Sequence, residues 1–351
     1  MKIAAKTAKK ILVILLIVFG TLSVLGGVVF SIGMAAAGWD FSAMNTVDYV
    51  YKEYTERHKI TSISLDFATN DIKVHFDEKT TQVRVEYAEK YTKQGEQLTQ
   101  TTITEEGGVL KMKQEQKFTL YVDFSFGENS TVSVYLPKNY AYTLDIETDT
   151  GDVFLDGNAT LKSLKVETDT GTIQLGGAIR CEGKIDLSVE TGSVLLNEFS
   201  ADSLFIESDT GNVCLDGKSS VNTSVEIETD TGDVSILHTL TANDVKIETD
   251  TGDVNLNNLS GATLTVNTDT GNIKSIGTSL LDFTTLLFST DTGDITLHLV
   301  GTIDDYSVQA HTNTGSNNLY DYPTANKERT LKIHSITGNI KVIFQPKDTA
   351  K

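Results

Sequence analysis

From Leu144 onward, apolar and polar residues alternate in short runs that restart about every 20 residues. Each restart carries a Thr-Gly marker, at Gly151, Gly171, Gly192, Gly211, Gly232, Gly252, Gly271, Gly293, Gly315 and Gly338, in steps of 19 to 23 residues. The fullest copies, Ile146–Val153, Ile227–Val234 and Ile247–Val254, read Ile-Glu-Thr-Asp-Thr-Gly-Asp-Val. Seven and five residues before each marker, and two and four after it, the chain is apolar, as at Leu144, Ile146, Val153 and Leu155 around Gly151; Ser275 and Asn317 are the exceptions. A period of two on both sides of a turn predicts strand–turn–strand in every repeat, with one buried face. Two short strands cannot bury that face alone, so the repeats must stack. Antiparallel hairpins and parallel coils both satisfy the pattern. Like positions stay apolar through ten copies, which favours an all-β parallel β-solenoid, right-handed as most parallel crossovers are. Ten coils at ~4.8 Å would make a rod of roughly 48 Å.

The marker glycines read as structural turn residues that take positive φ. The aspartates two positions earlier, Asp149, Asp169, Asp209, Asp230, Asp250, Asp269 and Asp291, read as caps accepting a nearby backbone N–H. The threonines before the markers, Thr150 to Thr337, would stack into a hydroxyl ladder. Residues 60–143 carry the same pattern in degraded form. Ile63–Phe67 followed by Asp71–Val74 is a first repeat without its glycine, and Val83–Tyr87, Val109–Met112 and Val132–Pro137 read as longer strands. They predict an irregular N-terminal β cap ahead of the regular repeats at 144–345 and a tail at 346–351. Residues 39–59, through Tyr49, Tyr51, Tyr54 and Glu56, read as a juxtamembrane stalk, with a helix as one option.

Ahead of these repeats, Ile11 to Trp39 is a run of 29 residues without a charge. About 20 such residues cross a hydrocarbon layer as a helix, so 11–38 reads as one transmembrane signal-anchor. A cleaved secretory signal is the competing reading, with Ala35-Ala36-Ala37 as its small-residue site, but signal cores are shorter, about 7–15 residues. Lys6, Lys9 and Lys10 in the basic tail 1–10 keep the N-terminus in the cytoplasm and send the rest outside. Trp39 and Phe41 would sit at the outer interface, and the Gly27/Ser31 pair is thin support for helix dimerisation. The expected location is thus the cytoplasmic membrane, single-pass, with the solenoid on the extracellular side.

Charge sharpens that picture. The chain has 48 acids against 29 bases, net −19, and every acid lies at Asp40 or later. From Asp40 the balance is 25 bases against 48 acids, which excludes nucleic acid as a partner because phosphate binding needs a cationic surface. Three prolines against 27 glycines exclude a proline-rich linker or a collagen-like chain. Cys181 and Cys214 fall at different places in the repeat and should lie on different sides of a coil, and no Cys/His spacing matches a zinc site.

The strand and Leu-Pro-Lys of Val132–Lys138, leading into Leu144-Asp145-Ile146-Glu147-Thr148 and then Thr-Gly-Asp-Val, resemble the bacterial putative-adhesin family DUF4097 across about residues 60–345. The resemblance implies an extracytoplasmic β-solenoid and, in some members, a link to cell-envelope stress. It carries no catalytic residues.

Asp-Thr-Gly is also the active-site phrase of aspartic proteases, where two aspartates share a proton. Here seven copies, spaced by one or two repeat lengths, read as a structural turn. A carbohydrate-active β-helix enzyme would need converging carboxylates and commonly a basic partner; Arg57, Arg84, Arg180 and Arg329 share no repeat position. No enzyme activity and no cofactor are expected. Glu147, Glu167, Glu207, Glu228 and Glu248 share one outward column, and the seven aspartates another. They read as a solvated face or as a ladder attracting Ca²⁺ or cationic peptides. The RTX type of calcium repeat is excluded by the period. His311 and His334 share an outward position in adjacent repeats and would stack, a pairing able to take a metal or respond to pH. The expected function is that of a non-enzymatic surface protein, an adhesin or envelope-interaction module. The rival is an envelope-stress sensor or decoy for cationic antimicrobial peptides. Its cytoplasmic tail of ten residues would require a membrane-protein partner.

Overall fold

The computed structural model describes residues 46–117, 131–319 and 327–345, together with Ser31 and Ala35. Apart from those two positions, the expected membrane segment 11–38 lies outside the described residues, as do the tails 1–10 and 346–351. Among the described residues no helix is long and apolar enough to cross a membrane.

The regular part is a parallel β-solenoid. Its coils have three sides where the sequence pattern showed two. In the coil of Gly192 these are Lys184–Thr191, Val194–Leu196 and Phe199–Ala201. Each strand lies in register on its equivalents: Leu187 pairs with Ile206, Val194 with Val213, and Ser200 with Ser220. Ile185, Leu187, Val189, Val194, Leu196, Phe199 and Ala201 all point inward and are buried. One coil would leave both edges of that layer in water, and stacking removes them.

The marker glycines are required by closeness rather than by conformation alone. A Cβ on any of the ten would lie 1.6 to 2.1 Å from a backbone carbonyl oxygen of the neighbouring coil, at Gly211 1.6 Å from Gly192 O. Positive φ is not shared by all of them, so the missing side chain is the common reason. Where the inward residue three before the next marker is Thr, it meets that carbonyl oxygen; Val189 and Ser208 hold the place in the coils of Gly192 and Gly211 and do not. Thr168 Oγ1 donates to Gly151 O (3.2 Å), Thr268 to Gly252 O (3.2 Å), Thr290 to Gly271 O (3.1 Å) and Thr312 to Gly338 O (2.8 Å). The first Thr of Glu-Thr-Asp-Thr-Gly therefore satisfies a buried carbonyl that would otherwise cost about 1–3 kcal/mol. Asn70 takes the glycine's place in the first coil, and Thr148 donates to its carbonyl (3.2 Å).

At both ends the coils depart from chain order. Arg329–Thr337 lies between Thr285–Thr292 and Tyr306–Thr314, so the coil of Gly338 sits inside that of Gly315. At the other end Ser62–Phe67 lies between Val109–Gln116 and Tyr142–Thr150, and Ile72–Asp77 between Val132–Pro137 and Val153–Asp156. Each end of the rod thus holds an earlier or later coil over the terminal one.

The cap closes with antiparallel strands. Thr99–Glu106 pairs with Val109–Gln116, Arg84–Thr92 with Val132–Pro137, and Val47–Thr55 with Arg84–Thr92. The expected stalk is corrected accordingly: Val47–Thr55 is a strand of the cap, not a helix. Glu89 is buried behind it. It accepts from Lys52 Nζ (2.5 Å), Gln97 Nε2 (2.9 Å), Tyr91 Oη (3.2 Å) and Thr101 N (2.9 Å). Burial pushes its carboxyl up, but Lys52 and these donors more than offset that and hold it below the usual range.

Candidate functional site: outward columns on three faces

On the first face, formed by the long strands, in-register stacking converts each outward repeat position into a column along the rod. Asp149, Asp169, Asp209, Asp230, Asp250, Asp269 and Asp291 are all exposed, one per coil. Glu190, which the Asp-Thr-Gly phrase conceals, fills the gap between Asp169 and Asp209. The capping role expected of these aspartates belongs instead to the Asx residue after the glycine. Asn212 Oδ1 accepts Asp233 N (2.9 Å), Asp233 accepts Asp253 N (2.8 Å), Asp253 accepts Asn272 N (2.8 Å), and Asn272 accepts Asp294 N (3.0 Å). The correction has a plain cause: the residue after the turn faces the next coil's free amide, whereas the one before it points to solvent.

The glutamate column is in register but broken. Glu147 pairs with Glu167 and Glu207 with Glu228, while Ser188 separates the two groups. Lys246 lies among Glu226 (2.9 Å), Glu228 (2.8 Å) and Glu248 (2.8 Å). Hydrogen bonds to Glu228, Glu248 and Glu226 raise its ammonium pKa. Near the cap, Lys113 and Lys165 offset the crowding of acids only in part. Burial first, then Asp66 and Glu167, push the Glu147 carboxyl up; burial, then Asp169 and Asp66, do the same to Asp149. Among the described residues no group of three His, Cys, Asp or Glu side chains converges as a metal site would require.

His311 and His334 stack with centroids 6.0 Å apart and planes at 11°. His311 Nε2 lies 2.8 Å from Asn313 Oδ1. Cys181 is turned into the core on the third face and Cys214 is half-exposed on the second; both are free thiols, raised in pKa by burial. They lie on different sides, as their repeat positions required.

The third face was invisible in the sequence. Its outward column runs Thr160, Arg180, Ser200, Ser220, Thr241 and Ser260. It floors a groove of about 860 Å³ whose rim includes Lys138, Glu198 and Lys218.

In-register parallel coils, glycine contacts between them and outward side-chain columns define a β-solenoid repeat protein. The chain belongs to the Toastrack DUF4097 family, whose pattern matches residues 60–342. Among solved structures it is similar to a putative adhesin from Parabacteroides distasonis, at 14% identity over 84% of this chain and 97% of that one, with a TM-score of 0.45. A putative adhesin from Parabacteroides merdae gives 14% identity over 84% and 96%, with a TM-score of 0.33. A protein from Parabacteroides distasonis described as a putative lipid binding protein gives 14% over 84% and 97%, with a TM-score of 0.38. No curated protein matches the chain in sequence.

Proposed function

We propose that the protein is a non-enzymatic surface rod that acts by adhesion or envelope contact. In this reading it is held in the cytoplasmic membrane by residues 11–38, with the cap and coils outside. The observation that carries it is the uncharged run Ile11–Trp39, placed only a few residues before the first cap strand at Val47. A short link of that kind keeps the cap close to the membrane surface, since extended chain spans at most ~3.6 Å per residue. The family supports an extracytoplasmic placement by resemblance. The test is labelling of intact bacteria with a membrane-impermeant maleimide, read at half-exposed Cys214, with N-terminal sequencing of the membrane fraction. Labelling without lysis and a start at Met1 are expected. Labelling that requires lysis, or a start at Gly38, contradicts the reading.

The acids stacked in register around Glu147 and Asp149 support a second reading, a decoy or sensor for cationic peptides: burial pushes both carboxyls up most, their acidic neighbours add to it, and an arriving cation relieves that added repulsion. Binding of a cationic peptide to the full chain that weakens with salt is expected. No binding at low ionic strength removes this reading.

A further inference from the structure

Four lysines of the first face are held by acids. Lys246 serves three glutamates, Lys165 pairs with Glu167 (3.0 Å), Lys184 with Asp186 (2.9 Å) and Lys113 with Asp66 (2.5 Å). The third-face groove differs. Arg180 and Lys218 are exposed there and make no ion pair among the described residues, while Lys138 is only loosely held by Glu78 at 3.4 Å. With Glu198 as the one acid lining it, the groove is cationic in a chain of net charge −19. From Asn158 to Thr241 it follows the stack through five coils, roughly 19 Å at ~4.8 Å per step.

The floor narrows the partner. Thr160, Ser200, Ser220 and Thr241 present hydroxyls, which donate to anionic oxygens and accept from a ligand's own hydroxyls. Phe199, the aromatic side chain of the lining, is buried and offers no ring for a pyranose to pack upon. We propose that this groove binds a linear polyol phosphate, an acyclic chain bearing hydroxyls between phosphodiesters. Arg180 holds one phosphate through its guanidinium fork, Lys218 a second as a point charge, and the hydroxyl column carries the chain between them. The first-face carboxylates do not cancel this attraction where the screening length is about 8 Å. The assignment deepens the surface reading above, on which it rests for where such a polymer is met.

The test uses the full chain in detergent micelles at about 0.15 M salt. Poly(glycerol phosphate), polygalacturonate of matched charge and length, and uncharged dextran are titrated in turn. Poly(glycerol phosphate) is expected to bind most tightly and dextran not at all. Arg180→Gln with Lys218→Gln should weaken binding about tenfold, since exposed ion pairs contribute little each. Lys165→Gln with Lys246→Gln makes the same change of net charge on the other face and should leave binding unchanged. Absence of binding, equal loss in both double variants, or polygalacturonate binding as tightly overturns the proposal. Binding in micelles by a chain that the maleimide finds facing inward would sink the surface reading alone.

Discussion

Between Gly151 and Gly293 every coil sets a glycine against a carbonyl, and most add a threonine hydroxyl on that carbonyl and an Asx oxygen on the next amide. Among the described residues of the cap, the polar contacts are individual. Glu89 gathers Lys52, Tyr91, Gln97 and the Thr101 amide, while Glu105 receives Tyr54, the Arg57 and His58 amides and the His58 ring. The rod can grow by copying because each coil presents the same edge to the next. The end must be built individually because its last edge has no copy to meet, and an open parallel edge invites further strands. Antiparallel strands and buried polar groups close it.

Substitutions can break that contrast, and the largest effect belongs to the rod. Gly211→Ala places a Cβ 1.6 Å from Gly192 O, against backbone that cannot yield without parting two coils. We expect a loss of more than about 4 kcal/mol, read in denaturant unfolding. Gly95→Ala in the cap, with φ +87 and nothing within 4 Å, should cost only about 1 kcal/mol of backbone strain. Equal losses would mean that contact between coils is not what the glycines provide.

Glu89→Ala comes next. It strands the half-buried donors Tyr91, Gln97 and Thr101 and the partly exposed Lys52, and it empties the buried place of Glu89, for an expected loss of about 3 kcal/mol. The effect should be local, seen as faster amide exchange in the strands Val47–Thr55 and Arg84–Thr92 with the middle coils unchanged. Uniform loss along the rod would break the division into cap and copies. Thr249→Val removes one hydroxyl from Gly232 O and should cost about 1 kcal/mol. Ser208 makes no such bond, so Ser208→Ala should change stability by less than about 0.5 kcal/mol.

Acid sharpens the comparison last. The Tyr54 hydroxyl and the Arg57 and His58 groups lower Glu105 to about 2. Its contribution is therefore present above the ordinary carboxylate range and lost as the pH falls toward 2. Glu147 and Asp149 are raised, so protonating them favours the folded coils, and that gain disappears as the pH rises through their folded values. Exchange measured from neutral pH to about pH 2 should show the strand Thr99–Glu106 loosening while the Gly151 coil does not loosen with it. The reverse order would contradict these assignments.

Two faces of each coil were legible because inward positions keep a fixed distance from the marker glycine. The third was not, because its inward places are filled by Ser219, Cys181 and Ala201 as well as Ile179 and Phe199, so no constant apolar position marks it. The same mixture hid the groove. Val47–Thr55 escaped because burial touches only Val47 and Tyr54, leaving no alternation to read. The inward Thr of the repeat phrase was visible as a residue but not as a donor, since nothing local shows that a glycine carbonyl of another coil lies before it. The order of the last coils was illegible for a different reason. Gly293, Gly315 and Gly338 carry the same Thr-Gly marker, so either succession satisfies the pattern.

That order, with in-register parallel stacking, is tested most directly by disulfide trapping in a chain whose Cys181 and Cys214 are replaced by Ser. Ser289 and His334 are register partners, as are His334 and His311, whereas Ser289 and His311 lie two coils apart. One step of ~4.8 Å lies within disulfide reach and two steps do not. Cysteines at 289 and 334, or at 334 and 311, should cross-link within one chain, and those at 289 and 311 should not. Cross-linking at 289 and 311 without the other two would contradict the account.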